Sequence, residues 1–536
     1  MTKRSGWIVG GLLVLALCGC DILDRKPTPS LTPSPTPTST PIDTAQAYLS
    51  LWQKRDFKGM YALLTPQARQ TMTEAQFAER YEKIYEGIQA ENLTVAGGPA
   101  FPPQSPESPN VPGTDGISPP EKTFEFLARM DTVAGPLEFR QEGKLAMTDE
   151  EEGAEWRVDW TPSLLFPGME EGDKIRVQTV AAERGEIVDR DGVGLAVNGS
   201  APQLGIVPRE LGDSPETAKA AIADRLGISV EEIDRKLGAS WVKPDLFVPI
   251  ALVTEGGMPE FEQLPGVAFQ DKLLRVYPLG EAAAHLTGYV GPITADELEK
   301  RKDQGYAVND EIGKAGLELI LEERLRGSDG VRIWIADASG KRKADLAEKD
   351  AVPGETIQLA IDSGLQETIY AEVKEDEATV AAVRPQTGEI LALLSSPSYD
   401  PNAFVRGISK ERYAAWNEDP RRPFLNRFSK GYAPGSAFKV VTAAIGLDTG
   451  RLDPAEARPI EGLTWTKDGS WGNYYVKRVH AVSPVDLSKA LLYSDNIYFA
   501  QTALAIGGDL FATEAAKFGI GEDIPIDYPL SRSQLS

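Results

Sequence analysis

Ser436 and Lys439, in GYAPGSAFK (431–439), are the residue types that perform acyl transfer: a hydroxyl to attack a carbonyl and an amine to take its proton. The competing reading is an ordinary helix start, because Ser-x-x-Lys is cheap. About one or two such pairs arise by chance in a chain this long at average residue usage. Ser240 and Lys243, in GASWVKPD, repeat the spacing, but Pro244 disfavours helical geometry just before it. Around Ser436 the context differs. Pro434 and Gly435 predict a turn, and SAFKVVTAAIGL (436–447) predicts a helix with Phe438, Val441, Thr442 and Ile445 as its buried stripe. Residues three apart then share a neighbouring face. The hydroxyl sits at a helix N-terminus, where free N–H groups and the macrodipole favour developing negative charge, and its own N–H is placed to help hold an oxyanion. An ordinary lysine is protonated at neutral pH. To act as a base it must be desolvated or set among positive charges.

A second cluster follows in LLYSDNIYFAQTALA (491–505), where Ser494, Asp495 and Asn496 separate two apolar runs. Ser494 would relay a proton between Lys439 and a leaving group, and Asn496 would hydrogen-bond the lysine and a substrate amide. A triplet of this form is weak alone, since Ser108-Pro109-Asn110 repeats it inside a proline-rich loop. The two histidines, His285 and His480, lie far apart in sequence. A Ser-His-Asp triad or a histidine metal site is therefore poorly supplied, and no metal or cofactor is expected. His285 reads as a hydrogen-bonded structural residue. Cys18 and Cys20 are the sole cysteines, so the body carries neither disulfides nor a thiolate metal site. A net charge of −24 argues against a nucleic-acid partner, which needs a basic surface.

These residues have to be positioned by a chain of 536 residues, long enough for about three or four domains. Lys3 and Arg4 precede an apolar run from Trp7 to Leu17 with the layout of a secretory signal. The run is well short of the ~20 residues that span a bilayer. LCGC (17–20) resembles the lipobox of bacterial lipoproteins. That resemblance implies a signal peptide over 1–20, diacylglycerol on Cys20, and a lipid anchor to the extracytoplasmic face of the cell membrane; a plain signal peptide is the alternative. Residues 21–42, rich in Pro, Thr and Ser, predict an extended linker. Helical spacing of Tyr48, Leu51 and Trp52 in 45–64 and an amphipathic stretch over 73–90 are followed by strand-like segments at 123–131, 137–148 and 155–161. This is a small α+β domain, 43–170. A pedestal domain over 171–350 and a third domain over 351–536 complete a multidomain α+β chain. The third begins with a hairpin, ATVAAVRPQTGEILALLSSPSYDPN (378–402), turned by Pro385 and Gly388.

Five elements fall in one family order: RGEIVDRDGVGLA (184–196), RVYPLGEAAAHLTGYVG (275–291), GKAGLELILEERLRG (313–327), YAPGSAFK and YSDN. The chain resembles class B penicillin-binding proteins. Its first domain is similar in pattern to the cone-shaped nuclear-transport-factor-like domain of the methicillin-resistance type. The first three signatures look like the dimerisation module. There Gly185, Gly192 and Gly280 suit tight turns, and Arg184, Asp189 and Arg190 suit bidentate staples. The resemblance implies a penicillin-binding D,D-transpeptidase of peptidoglycan stem peptides, with Ser436 as nucleophile, Lys439 as base, and Ser494 and Asn496 assisting. It also implies acylation by β-lactams and a glycan polymerase as partner. The family's third element, Lys-Thr/Ser-Gly on a sheet-edge strand, is missing. Lys314-Ala315-Gly316 and Lys467-Asp468-Gly469 come too early, and Lys517-Phe518-Gly519 lacks the hydroxyl. The expectation is a C-terminally truncated, incomplete transpeptidase domain that is inactive as it stands. A non-catalytic cell-wall scaffold and a β-lactam sensor or hydrolase remain the alternatives.

Overall fold

Thr40 starts the first helix, Pro41–Gln53, with a reciprocal cap: its Oγ1 accepts from the Asp43 N–H, and the Asp43 carboxylate accepts from the Thr40 N–H. The linker expected over 21–42 therefore ends two residues early. A computed structural model describes residues 40–97, 121–150, 153–253 and 255–535. The signal segment, Cys18, Cys20, nearly all of the linker and the Ser108–Asn110 triplet lie outside the described residues. No helix among the described residues is long and apolar enough to cross a membrane. The chain forms two compact units, Met1–Gln178 with Val331–Lys349, and Thr179–Gly330 with Asp350–Ser536.

In the first unit the helix expected over 45–64 breaks in two. Arg55 takes a left-handed φ of 58°, and Asp56 caps a new helix, Phe57–Ala62. Helix Glu74–Gly87, opened by a Thr73–Gln76 capping box, packs with these helices on a four-stranded antiparallel meander. Its strands are Glu91–Gly97, Glu121–Thr132, Gly135–Glu150 and Gly153–Asp159. The last stops two residues short of the expected 155–161. Large aromatics fill the core. Trp52 and Trp160 are buried and donate their indole N–H to Tyr85 (2.7 Å) and Tyr81 (3.0 Å), so neither indole buries an unpaired donor. Strands Gly330–Ala336 and Arg342–Lys349 form a sheet with Lys174–Val180, and Val331, Ile333 and Ile335 join the aromatic core. The pedestal expected over 171–350 thus does not map onto one unit, because this hairpin carries its apolar face back into the first.

The second unit opens with a long antiparallel pairing of Gly194–Ile206 against Val267–Val276. The three pedestal signatures meet in one polar cluster. Arg184 donates to Glu318 Oε2 (2.8 Å) and Glu322 Oε2 (2.7 Å). Arg275 donates to Glu318 Oε1 (2.7 Å) and the Gly185 carbonyl (2.8 Å). Asp189 instead accepts from the backbone N–H groups of Asp191 and Val193 and from Ser363. Arg190 contributes its backbone N–H and carbonyl, to Ile361 and from Gln358. Only Arg184 therefore staples through its guanidinium as expected. Gly192 and Gly280 do turn, with φ of 83° and 48°. Gly185 has a different reason: a Cβ there would sit 2.0 Å from the Glu355 carbonyl oxygen.

The C-terminal part carries the expected hairpin, Ala378–Val383 with Ile390–Ser396, and Gly388 turns it at φ 78°. Helices Phe438–Asp448, Leu487–Leu492, Asn496–Ile506 and Gly508–Ala516 follow. His285 is structural: it is buried, its Nδ1 lies 3.2 Å from Ser398 Oγ, and burial pushes its pKa down to about 4.

Glu318 is fully buried between two arginines. Glu318→Ala leaves Arg275 without a counter-charge and is expected to cost ~3–5 kcal/mol, read as a lower denaturant midpoint for the second unit.

Candidate active site

Ser436 lies in a single 3₁₀ turn, Gly435–Ala437, that feeds the helix Phe438–Asp448. Gly435 holds φ 58°, a conformation that suits glycine. The serine is therefore one step earlier than the α-helix start expected of it, still in the first turn, where N–H groups lack intrahelical acceptors. The buried stripe is also displaced. Thr442, Ala443, Ile445 and Gly446 are buried, while Phe438 and Val441 are half-buried. Gly446 sets this rotation, since a Cβ there would meet Leu452 Cβ at 2.8 Å and Thr502 Cγ2 at 3.3 Å.

The Ser494–Asn496 triplet is a corner between two helices. Ser494 leaves Leu487–Leu492 in a left-handed conformation, φ 51°. Asp495 then caps Asn496–Ile506, accepting from Ile497 N–H (2.9 Å) and Tyr498 N–H (3.1 Å). Ala443, Ala490, Ile497, Tyr498 and Phe499 pack in one cluster and lock the corner to the serine-side helix.

Lys439 joins the two halves. Its Nζ lies 3.1 Å from Ser436 Oγ, 2.9 Å from Ser494 Oγ and 2.7 Å from the Ser494 carbonyl oxygen, and it also donates to Asn496 Oδ1. Asn496 Nδ2 donates to the Lys477 carbonyl at 2.8 Å, which fixes the amide with its oxygen toward the lysine. The hydrogen-bond inventory is informative. The Ser494 carbonyl and Asn496 Oδ1 can only accept, so each takes an N–H from the amine. A neutral amine has two N–H groups and one lone pair. With both N–H groups spent, the lone pair is left for a hydroxyl, and Ser436 and Ser494 supply the two within reach. Burial pushes the Lys439 amine below its ordinary pKa, against the opposing pull of the Asp495 carboxylate. Two helix N-termini also converge here, and their positive ends disfavour an ammonium ion.

All four residues read from the sequence as one site, Ser436, Lys439, Ser494 and Asn496, meet at this amine. Cys20 lies outside the described residues. Ser240 and Lys243 sit in turns between helix Val230–Leu237 and strand Val248–Leu252, outside any helix. Three contributors escaped the sequence reading: the Asp495 cap, the Lys477 carbonyl and Arg478, which pairs with Asp495. Asp495 had a signal, a capping residue ahead of an apolar run. A backbone carbonyl and an isolated arginine in irregular chain have none.

A hydroxyl, a partly buried amine and a second hydroxyl in this order are the groups that an acyl-transfer site requires. Comparison with known proteins agrees in class. Residues 40–173 match the NTF2-like N-terminal transpeptidase domain, 179–359 the penicillin-binding protein dimerisation domain, and 378–536 the penicillin-binding protein transpeptidase domain. The chain is 39% identical over 500 residues to penicillin-binding protein 3 of Bacillus subtilis, covering 92% of this chain and 72% of that protein. Peptidoglycan D,D-transpeptidase MrdA of Acinetobacter baumannii is 32% identical over 372 residues, 68% of this chain and 55% of that protein. A solved complex of penicillin-binding protein PBP2 and MreC from Helicobacter pylori shares the fold, with a TM-score of 0.54 at 22% identity over 67% of this chain and 68% of that one. The chain belongs to the penicillin-binding protein transpeptidases.

The left-handed Ser494 gives a test of the corner. Ser494→Gly is expected to keep stability within ~1 kcal/mol, whereas Ser494→Val places a β-branched side chain at positive φ and costs ~1–3 kcal/mol, both read by denaturant unfolding.

Proposed function

We propose that this protein is a D,D-transpeptidase that cross-links peptidoglycan stem peptides through an acyl-enzyme on Ser436. The observation that carries the reading is the Lys439 amine, held by two carbonyl acceptors with Ser436 Oγ at 3.1 Å. The chain spans 72% of the Bacillus subtilis relative and 55% of the Acinetobacter baumannii one, so the activity of the whole protein is part of the proposal. Ser436 Oγ attacks the carbonyl of the penultimate D-alanine while the neutral Lys439 takes its proton. Collapse of the tetrahedral adduct breaks the amide bond. The proton passes through Ser494 to the departing nitrogen, and terminal D-alanine leaves. An amine of a neighbouring stem then attacks the ester, gives its proton to Lys439, and Ser436 Oγ departs and is reprotonated. A β-lactam would enter by the same first step and remain as the ester. Cys20 would carry the lipid that holds the enzyme at the extracytoplasmic face of the membrane. A glycan polymerase, and a protein such as the MreC bound to the Helicobacter pylori relative, would be its partners.

Fluorescent penicillin tests the chemistry on the protein expressed from its own gene. A covalent adduct that survives denaturing electrophoresis is expected, absent in Ser436→Ala. Lys439→Arg puts a permanent cation where the neutral amine is needed and cannot accept the proton, so labelling should slow by ~10²–10⁴-fold. The labelling rate should rise with pH as the amine deprotonates, and the rise should come below the ordinary lysine range because burial lowers the Lys439 pKa. No adduct at any pH would favour a non-catalytic scaffold, and rapid loss of the adduct a β-lactam hydrolase. The anchor is tested separately: radiolabelled fatty acid should enter the wild type and not Cys20→Ala.

A further inference from the structure

Asp495 stands between the two residues that hold Lys439, yet its carboxylate is committed elsewhere. One oxygen caps the helix, and the other accepts from Arg478 Nη1 at 2.7 Å. Both side chains are sealed from solvent, 1% and 2% exposed. Three further Arg478 donors go to the carbonyls of Gly462, Val482 and Ile460, each at 2.8 Å. These lie on the irregular segment around the small hairpin Thr464–Trp465 and Val476–Lys477, whose Lys477 carbonyl orients Asn496. Arg478 thus ties the strand that aims Asn496 to the cap that fixes the Ser494 corner.

The charge matters as much as the tie. A carboxylate within a few ångströms of an amine stabilises its protonated form. The Asp495 carboxylate pulls the Lys439 amine toward its protonated form, against the effect of burial. The other charged groups on the surrounding elements are engaged or remote. Lys489 donates to the Pro484 carbonyl. Asp448, at the far end of the serine-side helix, and Glu514, on Gly508–Ala516, both face Lys517. His480 packs its ring on Tyr493, with centroids 5.5 Å apart. Lys477 offers the site its carbonyl.

We propose that Arg478 is a positioning residue: by offsetting part of the Asp495 charge and tying that carboxylate to the Asn496 strand, it favours the neutral amine at Lys439. The proposal rests on the reading of Lys439 as the base, and its test needs no catalysis. Competitive labelling of the full chain with isotopic acetic anhydride across pH, followed by mass spectrometry of the Lys439 peptide, reads the titration midpoint of that amine. Arg478→Gln leaves Asp495 uncompensated and should move the midpoint up by about one unit or more. Arg478→Lys should restore the wild-type midpoint. Asp495→Asn keeps one acceptor oxygen for the cap, sets an amide N–H group against Arg478 in place of the second oxygen, removes the negative charge, and should move the midpoint down. A purely structural Arg478 would lower stability and leave the midpoint alone, so a folded Arg478→Gln with the wild-type midpoint overturns the proposal. Should Arg478→Gln fail to fold, Asp495→Asn decides, and an unchanged or raised midpoint there overturns it. The expected shifts without any penicillin adduct would refute the transpeptidase reading alone. An adduct with unmoved midpoints would refute this inference alone.

Discussion

One amine facing two carbonyl oxygens is the constraint that the C-terminal half of the second unit is built to satisfy. Carbonyls cannot donate, so the Ser494 backbone and the Asn496 amide dictate where two of the Lys439 N–H groups point and, in the neutral amine, where its lone pair would point. Each acceptor is itself held. The Ser494 carbonyl faces the lysine because its residue is left-handed at the end of one helix. The Asn496 oxygen faces it because the amide nitrogen is occupied by Lys477. The packed cluster of Ala443, Ala490, Ile497, Tyr498 and Phe499 makes these two geometries one geometry. Misplacement by about an ångström at a reacting atom costs on the order of 10²-fold in rate, so such indirect supports belong to the chemistry.

The pedestal solves a related problem with charge. Burying Glu318 and Glu322 is costly unless their oxygens are paired, and Arg184, Arg275, Tyr306 and the Gly313 N–H pair them. These partners come from segments far apart in sequence, so the network forms only when the long strand pairing and the short helices Gly316–Ile320 and Glu322–Leu325 are both in place. That makes it a device for specifying one arrangement more than for adding stability, since hydrophobic substitutes of similar volume are often as stable.

Much of this was legible in the chain. The N-terminal helical stretches, three of the four strands of the meander, the hairpin around Gly388 and the grouping of the four residues at the amine follow from periodicity, turn residues and the order of motifs. The three pedestal signatures were readable as segments, but not that Arg184, Arg275 and Glu318 touch, because pairing across such separations leaves no local pattern. The helix after Ser436 starts two residues later than expected and is rotated from the expected face. Apolarity alone selects Phe438 and Val441, whereas the close approach of Leu452 and Thr502 to Gly446 turns that smooth face inward. The return of the hairpin ending at Lys349 to the first unit was also hidden. Alternating apolar residues announce a strand with one buried face and do not say which core receives it.

A chain with a net charge of −24 is an unpromising setting for a neutral lysine, since every carboxylate favours the ammonium form. Screening removes most of that difficulty: exposed charges beyond a Debye length of ~8–10 Å contribute little at physiological salt. What remains is local, and it centres on Asp495, whose carboxylate caps the helix that presents Asn496. A neutral capping residue would spare the lysine but would forgo the favourable meeting of a carboxylate with a helix N-terminus. Pairing the same carboxylate with a buried guanidinium keeps the cap and offsets part of its field, which in the proposed reading reconciles an acidic protein with a base that must be free of its proton.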